Sequence, residues 1–361
     1  LFAYRDYNAR RLRFALPRAE SVGTLVLLLL CLLIGSALLT LVGNPALTLA
    51  VRIISLVLAV LSIVIVVLEF LFYVPFIDKF LPETTSCNVY AKYKPTGDVK
   101  RRIIINGHTD SAYEWTLMKI RQEVMVGVLA VDLLCALASI VIFSINIAKG
   151  VTPLWSVIFA ACTVVAYIGL FFVCNFKVLS PGANDNLTGV FVAVSALKCL
   201  KESGIRYENT EVCALLTGSE EAGLRGATAF TKRHKGENKD VETYIIAFDT
   251  MRDYDYMTIY HRDMTGMVKN SPEVVALLDE ACNDPDVNHP LPHGVVPFGA
   301  SDAAAFSRGG FKAAAVAGQN PKYAPYYHNR RDTPDQMIPE TFALGLDIAL
   351  AAIEAFDRDQ K

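Results

Sequence analysis

The chain has 361 residues, 53% of them hydrophobic, a mean hydropathy of +0.36 and a formal net charge of −2 at pH 7. This composition is too apolar for an ordinary soluble enzyme and indicates membrane segments. The near-neutral charge, together with the lack of a basic stripe interleaved with aromatic residues, argues against nucleic acid as a partner.

The amino-terminal part of the chain predicts a membrane hairpin. Arginines are frequent in the first twenty residues, and the uncharged stretch Ser21–Val42 that follows is long enough to span a bilayer. Gly43-Asn44-Pro45 predicts a turn, and a second apolar run extends from Ala46 to about Leu68. We therefore assign residues 1–83 to a basic segment, a transmembrane hairpin and an interfacial collar.

From about Thr84 the sequence alternates short β-type runs with helical ones. The predicted strands are Asn88–Lys94, Arg101–Asn106, Glu211–Thr217, Glu242–Asp249, Tyr256–Tyr260 and Phe311–Ala317. The predicted helices are Leu187–Lys201, Ala222–Lys235, Pro272–Cys282 and Pro339–Phe356. This alternation predicts an α/β domain, a three-layer α/β/α sandwich around a mixed, mostly parallel sheet.

A second apolar hairpin interrupts this α/β pattern. Val124–Ala148 is apolar except for Asp132, Lys149-Gly150 predicts a turn, and Thr152–Phe176 is apolar again. The α/β domain is thus expected to comprise residues 84–122 and 176–361, with the inserted hairpin at 123–175. In total the sequence predicts four transmembrane α-helices, two amino-terminal and two inserted.

The distribution of basic residues predicts the orientation in the membrane. Those on the near side of the two hairpins outnumber those in the far-side turns, which offer only Arg52 and Lys149. Because cytoplasmic flanks carry the excess of lysine and arginine, we expect a multi-pass integral membrane protein whose catalytic domain is cytoplasmic.

Acidic and imidazole side chains follow several predicted strands in the pattern that a dinuclear zinc site requires. Such a site needs one bridging carboxylate, terminal ligands for each metal and a separate base. His108 and Asp249 fit one metal, Glu221 and His328 fit the other, and Asp185 fits the bridge. The remaining glutamate, Glu220, fits the general base.

The motifs around these residues resemble the co-catalytic di-zinc aminopeptidase family, which also contains glutaminyl cyclases. The resemblance covers about residues 85–110 and 176–358 and fills every metal-ligand position of that family's pattern. It implies two Zn²⁺ per chain, Asp110 as the partner that orients His108, and a cis peptide bond after Asp185. The motifs that carry it are His108-Thr-Asp110, Ser180-Pro-Gly-Ala-Asn-Asp-Asn186, Gly218-Ser-Glu-Glu-Ala222, Phe248-Asp-Thr250, Gly299-Ala-Ser-Asp302 and Tyr327-His-Asn-Arg-Arg-Asp-Thr333.

The resemblance implies a zinc aminopeptidase in which a metal-bridging water attacks an amide bond, and the apolar hairpins, which that family lacks, predict that it is membrane-bound. Tyr327 and Asp302 are the predicted substrate-binding residues, although Asp302 and Asp332 also suit turn or cap positions. Two alternative activities use the same scaffold: hydrolysis of N-acyl amino acids, and glutaminyl cyclisation at a single zinc. A receptor or scaffold without catalysis is the third alternative, and it would be expected to lack a ligand.

The place of the second hairpin in the chain predicts a site close to the membrane. The hairpin begins about a dozen residues after Asp110 and ends about nine before Asp185, which keeps the site within roughly 40 Å of the bilayer. We expect a hydrophobic peptide or an acylated amino acid to enter between the hairpin and the loop Asp284–Gly299. In the alternative interpretation, the helices only anchor a peptidase that digests soluble peptides.

Overall fold

The computed structural model describes residues 2–7, 12–13, 45–76, 83–170, 172–236 and 241–358 of the chain. The chain divides into two units. The first unit combines Leu1–Arg13, Glu83–Ala112 and Leu179–Lys361, and the second combines Phe14–Pro82 and Tyr113–Val178.

Short strands and longer helices alternate along the described residues. The strands are β1 Phe2–Tyr7, β2 Leu12–Arg13, β3 Glu83–Thr84, β4 Cys87–Tyr93, β5 Arg101–His108, β6 Tyr113–Trp115, β7 Cys174–Leu179, β8 Thr210–Thr217, β9 Glu242–Met251, β10 Met257–Asp263, β11 Val268–Lys269, β12 His293–Val295 and β13 Lys312–Gly318. The α-helices are α1 Pro45–Ile65, α2 Thr116–Ile120, α3 Gln122–Lys149, α4 Leu154–Leu170, α5 Thr188–Glu202, α6 Arg225–His234, α7 Pro272–Cys282, α8 Asp302–Arg308 and α9 Pro339–Arg358.

A mixed sheet forms the centre of the first unit. Its order among the described strands is β1-β4-β8-β5-β9-β13-β10-β11, with β12 paired to β10. The four central strands β8, β5, β9 and β13 are parallel, whereas β4 pairs antiparallel with β8 and β10 pairs antiparallel with β13. The prediction of a mixed α/β sheet is therefore confirmed.

Helices cover both faces of this sheet. Successive residues of a strand point to opposite faces, so each face presents its own apolar side chains for a helix to pack against. Ile103 and Ile105 of β5 belong to a buried cluster that includes residues of α5, α7 and α9. On the other face, the ring of Phe230 in α6 lies 5.1 Å from that of Tyr90 in β4 and 6.0 Å from that of Phe306 in α8. Burial of these side chains provides the main stabilisation of the unit.

The second unit contains two described helices that are long and apolar enough to cross a membrane, judged by length and composition alone. They span Ala46–Leu71, where α1 continues into a π-helical turn, and Gln122–Lys149. Within the described residues, the four predicted spans are reduced to these two. The first predicted span, Ser21–Val42, lies outside the described residues. The last, Thr152–Phe176, is a 17-residue helix ending at Leu170, about 25 Å long against a hydrocarbon core of about 30 Å.

Two short strands explain why the last helix ends early. Cys174–Leu179 is strand β7, which pairs with β6 where the chain enters and leaves the inserted hairpin.

The amino-terminal basic segment, predicted to flank the membrane, contains a strand of the α/β sheet. Phe2–Tyr7 pairs antiparallel with β4. Residues of the amino terminus therefore contribute an edge to the α/β sheet.

Candidate metal centre

The ends of three neighbouring parallel strands bring the candidate ligands together. His108 is the last residue of β5, Glu220 and Glu221 follow the end of β8, and Asp249 lies near the end of β9. Because β8, β5 and β9 are adjacent and parallel, their carboxyl ends meet at one edge of the sheet. The topology thus explains why residues more than a hundred positions apart share one site.

Asp185 lies between the two histidines and presents one carboxylate oxygen to each. Its Oδ1 is 3.1 Å from Nε2 of His108, and its Oδ2 is 2.9 Å from Nε2 of His328. A carboxylate in this arrangement can contact two cations at once.

Each side of Asp185 has a second acidic neighbour. On one side, Asp249 Oδ1 lies 3.6 Å from His108 Nε2, and on the other, Glu221 Oε1 lies 3.3 Å from His328 Nε2. Ligand atoms of His108, Asp185 and Asp249 lie within 4.8 Å of one another, as do those of Asp185, Glu221 and His328. The two groups share Asp185, and all five predicted ligands therefore converge.

Glu220 lies in the same cluster. One of its carboxylate oxygens is within 4.8 Å of ligand atoms of both His108 and Glu221. Burial raises the pKa of Glu220 well above its ordinary value, and nearby carboxylates such as Glu221 add to this shift. Bound cations would lower that pKa again, toward the range in which a carboxylate accepts protons near neutral pH.

The loop carrying Asp185 is fixed by groups that the sequence analysis did not assign to this task. The Asp332 carboxylate accepts hydrogen bonds from the backbone N–H groups of Asn184 and Asp185, at 2.9 and 3.1 Å. The amide of Asn186 donates to the carbonyl oxygen of Phe248 at 2.9 Å. The peptide bond between Asp185 and Asn186 is cis, as expected. Such contacts hold the bridging carboxylate at the edge of the sheet.

Gly189 allows the start of α5 to pack directly against β9, and we predict that Gly189→Ala disturbs the site. A Cβ at this position would lie 2.1 Å from the carbonyl oxygen of Phe248, which the Asn186 amide also contacts. We expect destabilisation by about 1–3 kcal/mol and weaker metal binding. Thermal unfolding and metal titration check this, with Gly236→Ala as control because nothing lies within 4 Å of its added Cβ. Wild-type behaviour of Gly189→Ala would contradict the packing argument.

Asp110 contacts His108 differently from the expected arrangement. The carbonyl oxygen of Asp110 accepts a hydrogen bond from His108 Nδ1 at 3.0 Å, whereas its carboxylate lies 3.8 Å from that nitrogen. The carboxylate instead accepts from the backbone N–H groups of Glu220 and Glu221, at 3.0 and 3.1 Å. Residue 110 thus holds the imidazole with its Nε2 toward Asp185 and fixes the turn that carries both glutamates.

The electrostatics of the cluster suit a site for cations. Four buried or half-buried carboxylates face only two imidazoles. Burial opposes a charge on His328, yet the carboxylates of Glu221 and Asp185 raise its pKa to about 10. Burial likewise raises the pKa of Asp185, but its contacts with both histidines outweigh this and lower it overall. Positive charge is thus favoured between these carboxylates, whether on the imidazoles or on bound divalent ions.

A buried carboxylate oxygen without a hydrogen-bond donor also indicates a site for cations. Glu221 Oε1 is buried and accepts no hydrogen bond, although the His328 ring lies close to it. A buried carboxylate oxygen without a donor is costly unless a cation contacts it. Imidazole nitrogens and carboxylate oxygens together form a donor set that zinc prefers, so the residues present fit the metal that the fold family implies.

The two predicted substrate-binding residues occupy different places. Tyr327 is half-buried and its ring stacks on that of His328, with ring centroids 3.8 Å apart. Asp302 is 3% exposed and its Oδ2 accepts a hydrogen bond from the hydroxyl of Thr217 at the end of β8. A role for either residue in binding substrate stays a prediction. The Thr217 hydroxyl was not anticipated, because nothing in a single strand sequence marks it.

Comparison with known proteins found a matching family model and several similar solved structures. The model of Peptidase family M28 matches residues 165–353. Similar solved structures include an aminopeptidase from Aneurinibacillus sp. strain AM-1, with 22% identity, TM-score 0.49, and coverage of 76% of this chain and 48% of that one. A Zn-dependent exopeptidase from Parabacteroides distasonis is 13% identical, with TM-score 0.49 and coverage of 76% and 79%. A glutaminyl cyclase from an Acidobacteriales bacterium is 14% identical, with TM-score 0.48 and coverage of 77% and 76%.

The chain spans about half the length of the first solved structures that it matches. The search of curated proteins found no match.

Proposed function

The chain belongs to Peptidase family M28, and from that premise we propose that it is a membrane-bound aminopeptidase holding two zinc ions. The observation that carries this proposal is the Asp185 carboxylate, whose two oxygens face two different imidazoles at 3.1 and 2.9 Å. A site for a single ion would not need a carboxylate shared in this way.

In the proposed site, His108 and Asp249 would hold one zinc, Glu221 and His328 would hold the other, and the Asp185 carboxylate would serve both. When bound, the two ions would supply Lewis acidity and lower the pKa of the attacking water. Glu220 accepts the proton of that water and passes it to the leaving amine. Asp110 keeps the two glutamates and the His108 ring in their positions, through the hydrogen bonds described above.

A screen of the purified protein against small amides tests the proposed reaction. The substrates are amino-acid amides with a free amino group, the same amides with a blocked amino group, and N-acyl amino acids, each with and without a chelator. We expect hydrolysis of the free amides alone, its loss on chelation and its return with added zinc. Hydrolysis of the N-acyl compounds alone would instead assign the chain to N-acyl amino acid hydrolysis, and cyclisation of glutaminyl peptides at one zinc per chain would assign it to the cyclases.

We propose that the enzyme is an integral membrane protein with its catalytic domain in the cytoplasm. The apolar helices Ala46–Leu71 and Gln122–Lys149 support the membrane location, and the basic residues that flank them on the side of the catalytic domain, Lys79, Lys119 and Arg121, support the orientation. Labelling of an introduced cysteine in the first unit by a membrane-impermeant reagent, in intact and in permeabilised cells, tests it. Labelling in intact cells would contradict the cytoplasmic assignment.

We further propose an amphiphilic substrate, a hydrophobic peptide or an acylated one, because the apolar hairpin interrupts the catalytic domain where a simple anchor would not need to. The hairpin can be excised without stretching the chain, since the backbone N–H of Ser180 donates to the carbonyl of Ala112 at 2.8 Å. We predict that replacing residues 113–178 by a short Gly/Ser linker preserves hydrolysis of a soluble amino-acid amide. Turnover of a peptide amide bearing a long acyl chain should fall selectively.

The two substrates are compared as kcat/KM ratios on the same preparation, so that a general loss of folding does not imitate selectivity. A linker inserted after Gly204, a glycine whose Cβ position meets open space, serves as control for the added residues. Equal retention of both activities would contradict the amphiphilic substrate and favour the anchor interpretation.

A further inference from the structure

A small polar pocket lies inside the second unit, beside the turn that joins α3 to α4. Its lining combines polar residues of α1, α3, the turn and the start of α4 with the apolar side chains of Phe143, Val157 and Ala160, and its volume is about 20 Å³. This volume admits one atom of the size of a water oxygen. The polar lining residues are Thr48, Arg52, Ser55, Asn146, Thr152 and Ser156.

Two of these side chains present unpaired polar atoms to the pocket. Ser55 is 1% exposed and its hydroxyl has no hydrogen-bond partner. Asn146 is 2% exposed, and while its Nδ2 donates to Ser156 Oγ at 3.1 Å, its Oδ1 accepts nothing. Buried polar atoms in an apolar helix bundle cost free energy unless a partner satisfies them. The pocket therefore offers both a donor and an acceptor to an incoming group.

The charge of the pocket is positive. Arg52 donates from Nε to Thr152 Oγ1 at 2.7 Å, and among the described residues no carboxylate pairs with it. Residues 45–68 and 133–173 contain no Asp or Glu, whereas Lys149 adds a second cation at the end of α3. A guanidinium within an apolar helix is costly and calls for an anionic partner.

The position of the pocket indicates where the anion comes from. Asn146 lies three residues before the end of α3, and Ser156 lies two residues after the start of α4. Trp155, 54% exposed beside them, is of the type that marks the headgroup layer. Because the pocket admits only one atom, the ligand inserts an oxygen and keeps its bulk outside.

We propose that this pocket binds the headgroup of an anionic phospholipid of the phosphatidylglycerol type, an inference that rests on the proposed membrane location. Arg52 pairs with the phosphate, and the one oxygen that the pocket admits is a headgroup hydroxyl, which accepts from Ser55 Oγ and donates to Asn146 Oδ1. The quaternary ammonium of a choline headgroup has no N–H or O–H to donate and leaves Asn146 unsatisfied. The pocket thus selects for an anionic headgroup that carries a hydroxyl over a choline headgroup.

The test uses the full-length protein in detergent, titrated by native mass spectrometry with phosphatidylglycerol, phosphatidylcholine or inorganic phosphate. We expect phosphatidylglycerol to bind best, and Arg52→Gln and Ser55→Ala to weaken it by about tenfold and severalfold respectively. Arg121→Gln is the matched control, since Arg121 is a 71% exposed arginine paired with Glu123 at the opposite end of α3.

Unchanged phosphatidylglycerol binding in Arg52→Gln and Ser55→Ala would overturn the proposal, as would equal affinity for phosphatidylcholine or for inorganic phosphate. If Arg52→Gln fails to fold by circular dichroism, Ser55→Ala decides, because removal of one hydroxyl oxygen leaves the helix packing intact. Extraction of the protein from membranes without detergent would contradict the membrane location itself. A protein that requires detergent but binds the lipids without selectivity would instead overturn only the headgroup proposal.

Discussion

Replacing Glu220 by glutamine should lower kcat by about 10²–10⁴-fold while the metal content stays at the wild-type value. The substitution preserves size and burial but removes the proton-accepting oxygen. The other residues of the cluster keep their contacts, because the backbone of residue 220, and not its side chain, bonds to Asp110. Turnover on an amino-acid amide and metal per chain are measured on the same preparation.

Two further variants distinguish the loss of a proton acceptor from the loss of a metal ligand. Glu221→Gln should lose metal as well as turnover, because Glu221 Oε1 faces His328 and accepts no hydrogen bond in the absence of an ion. Glu202→Gln, at a 67% exposed side chain on α5, should behave as the wild type. Near-normal kcat in Glu220→Gln would show that the base is misassigned. Loss of metal in that variant would make Glu220 a ligand, since its oxygen lies within 4.8 Å of two ligand atoms.

Replacing Asp185 by asparagine should remove most of the bound metal and reduce activity to background. The substitution keeps the hydrogen-bonded loop, whose fixed points are Asp332, Asn184 and Asn186. It removes the negative charge shared by both candidate positions, so the loss of affinity should exceed the ~10–100-fold that follows loss of an outer hydrogen-bond partner.

Metal titration of Asp185→Asn is compared with His108→Ala and with Asp335→Asn. The direct neighbours of His108 Nε2 are Asp185 and Asp249, so His108→Ala should retain metal at the position between Glu221 and His328. Asp335 is exposed and controls for the loss of one negative charge. Full metal occupancy in Asp185→Asn would rule out the bridging role.

The strands and most of the cluster were predictable from sequence because they depend on local pattern. β-branched runs such as Arg101–Asn106 read as strands, and parallel strands bring the residues that follow them to one edge of the sheet. His108 and Glu220 could therefore be assigned to one site before their distance was known. Helices α5, α7 and α9 match their predicted bounds closely for the same reason, since each shows helical periodicity.

The remaining features depend on tertiary contacts that no local pattern encodes. Hydropathy could not reveal that the predicted helix ends before Cys174 and that Cys174–Leu179 is a strand paired with β6. Apolar residues such as Phe, Val and Leu occur in membrane helices and in strands alike. The partners of Asp110 depend on the turn after β8, which lies more than a hundred residues away. Likewise, Asp332 could not be assigned to the Asp185 loop until the chain had brought residues 147 positions apart into hydrogen-bond contact.

The most direct test of the proposed dinuclear centre is anomalous diffraction at the zinc absorption edge, from crystals of the full-length protein grown with zinc. We expect two peaks about 3.5–4 Å apart on either side of the Asp185 carboxylate. One peak should lie against His108 and Asp249, and the other against Glu221 and His328. A single peak, or two peaks that do not share Asp185, would contradict the proposed dinuclear centre.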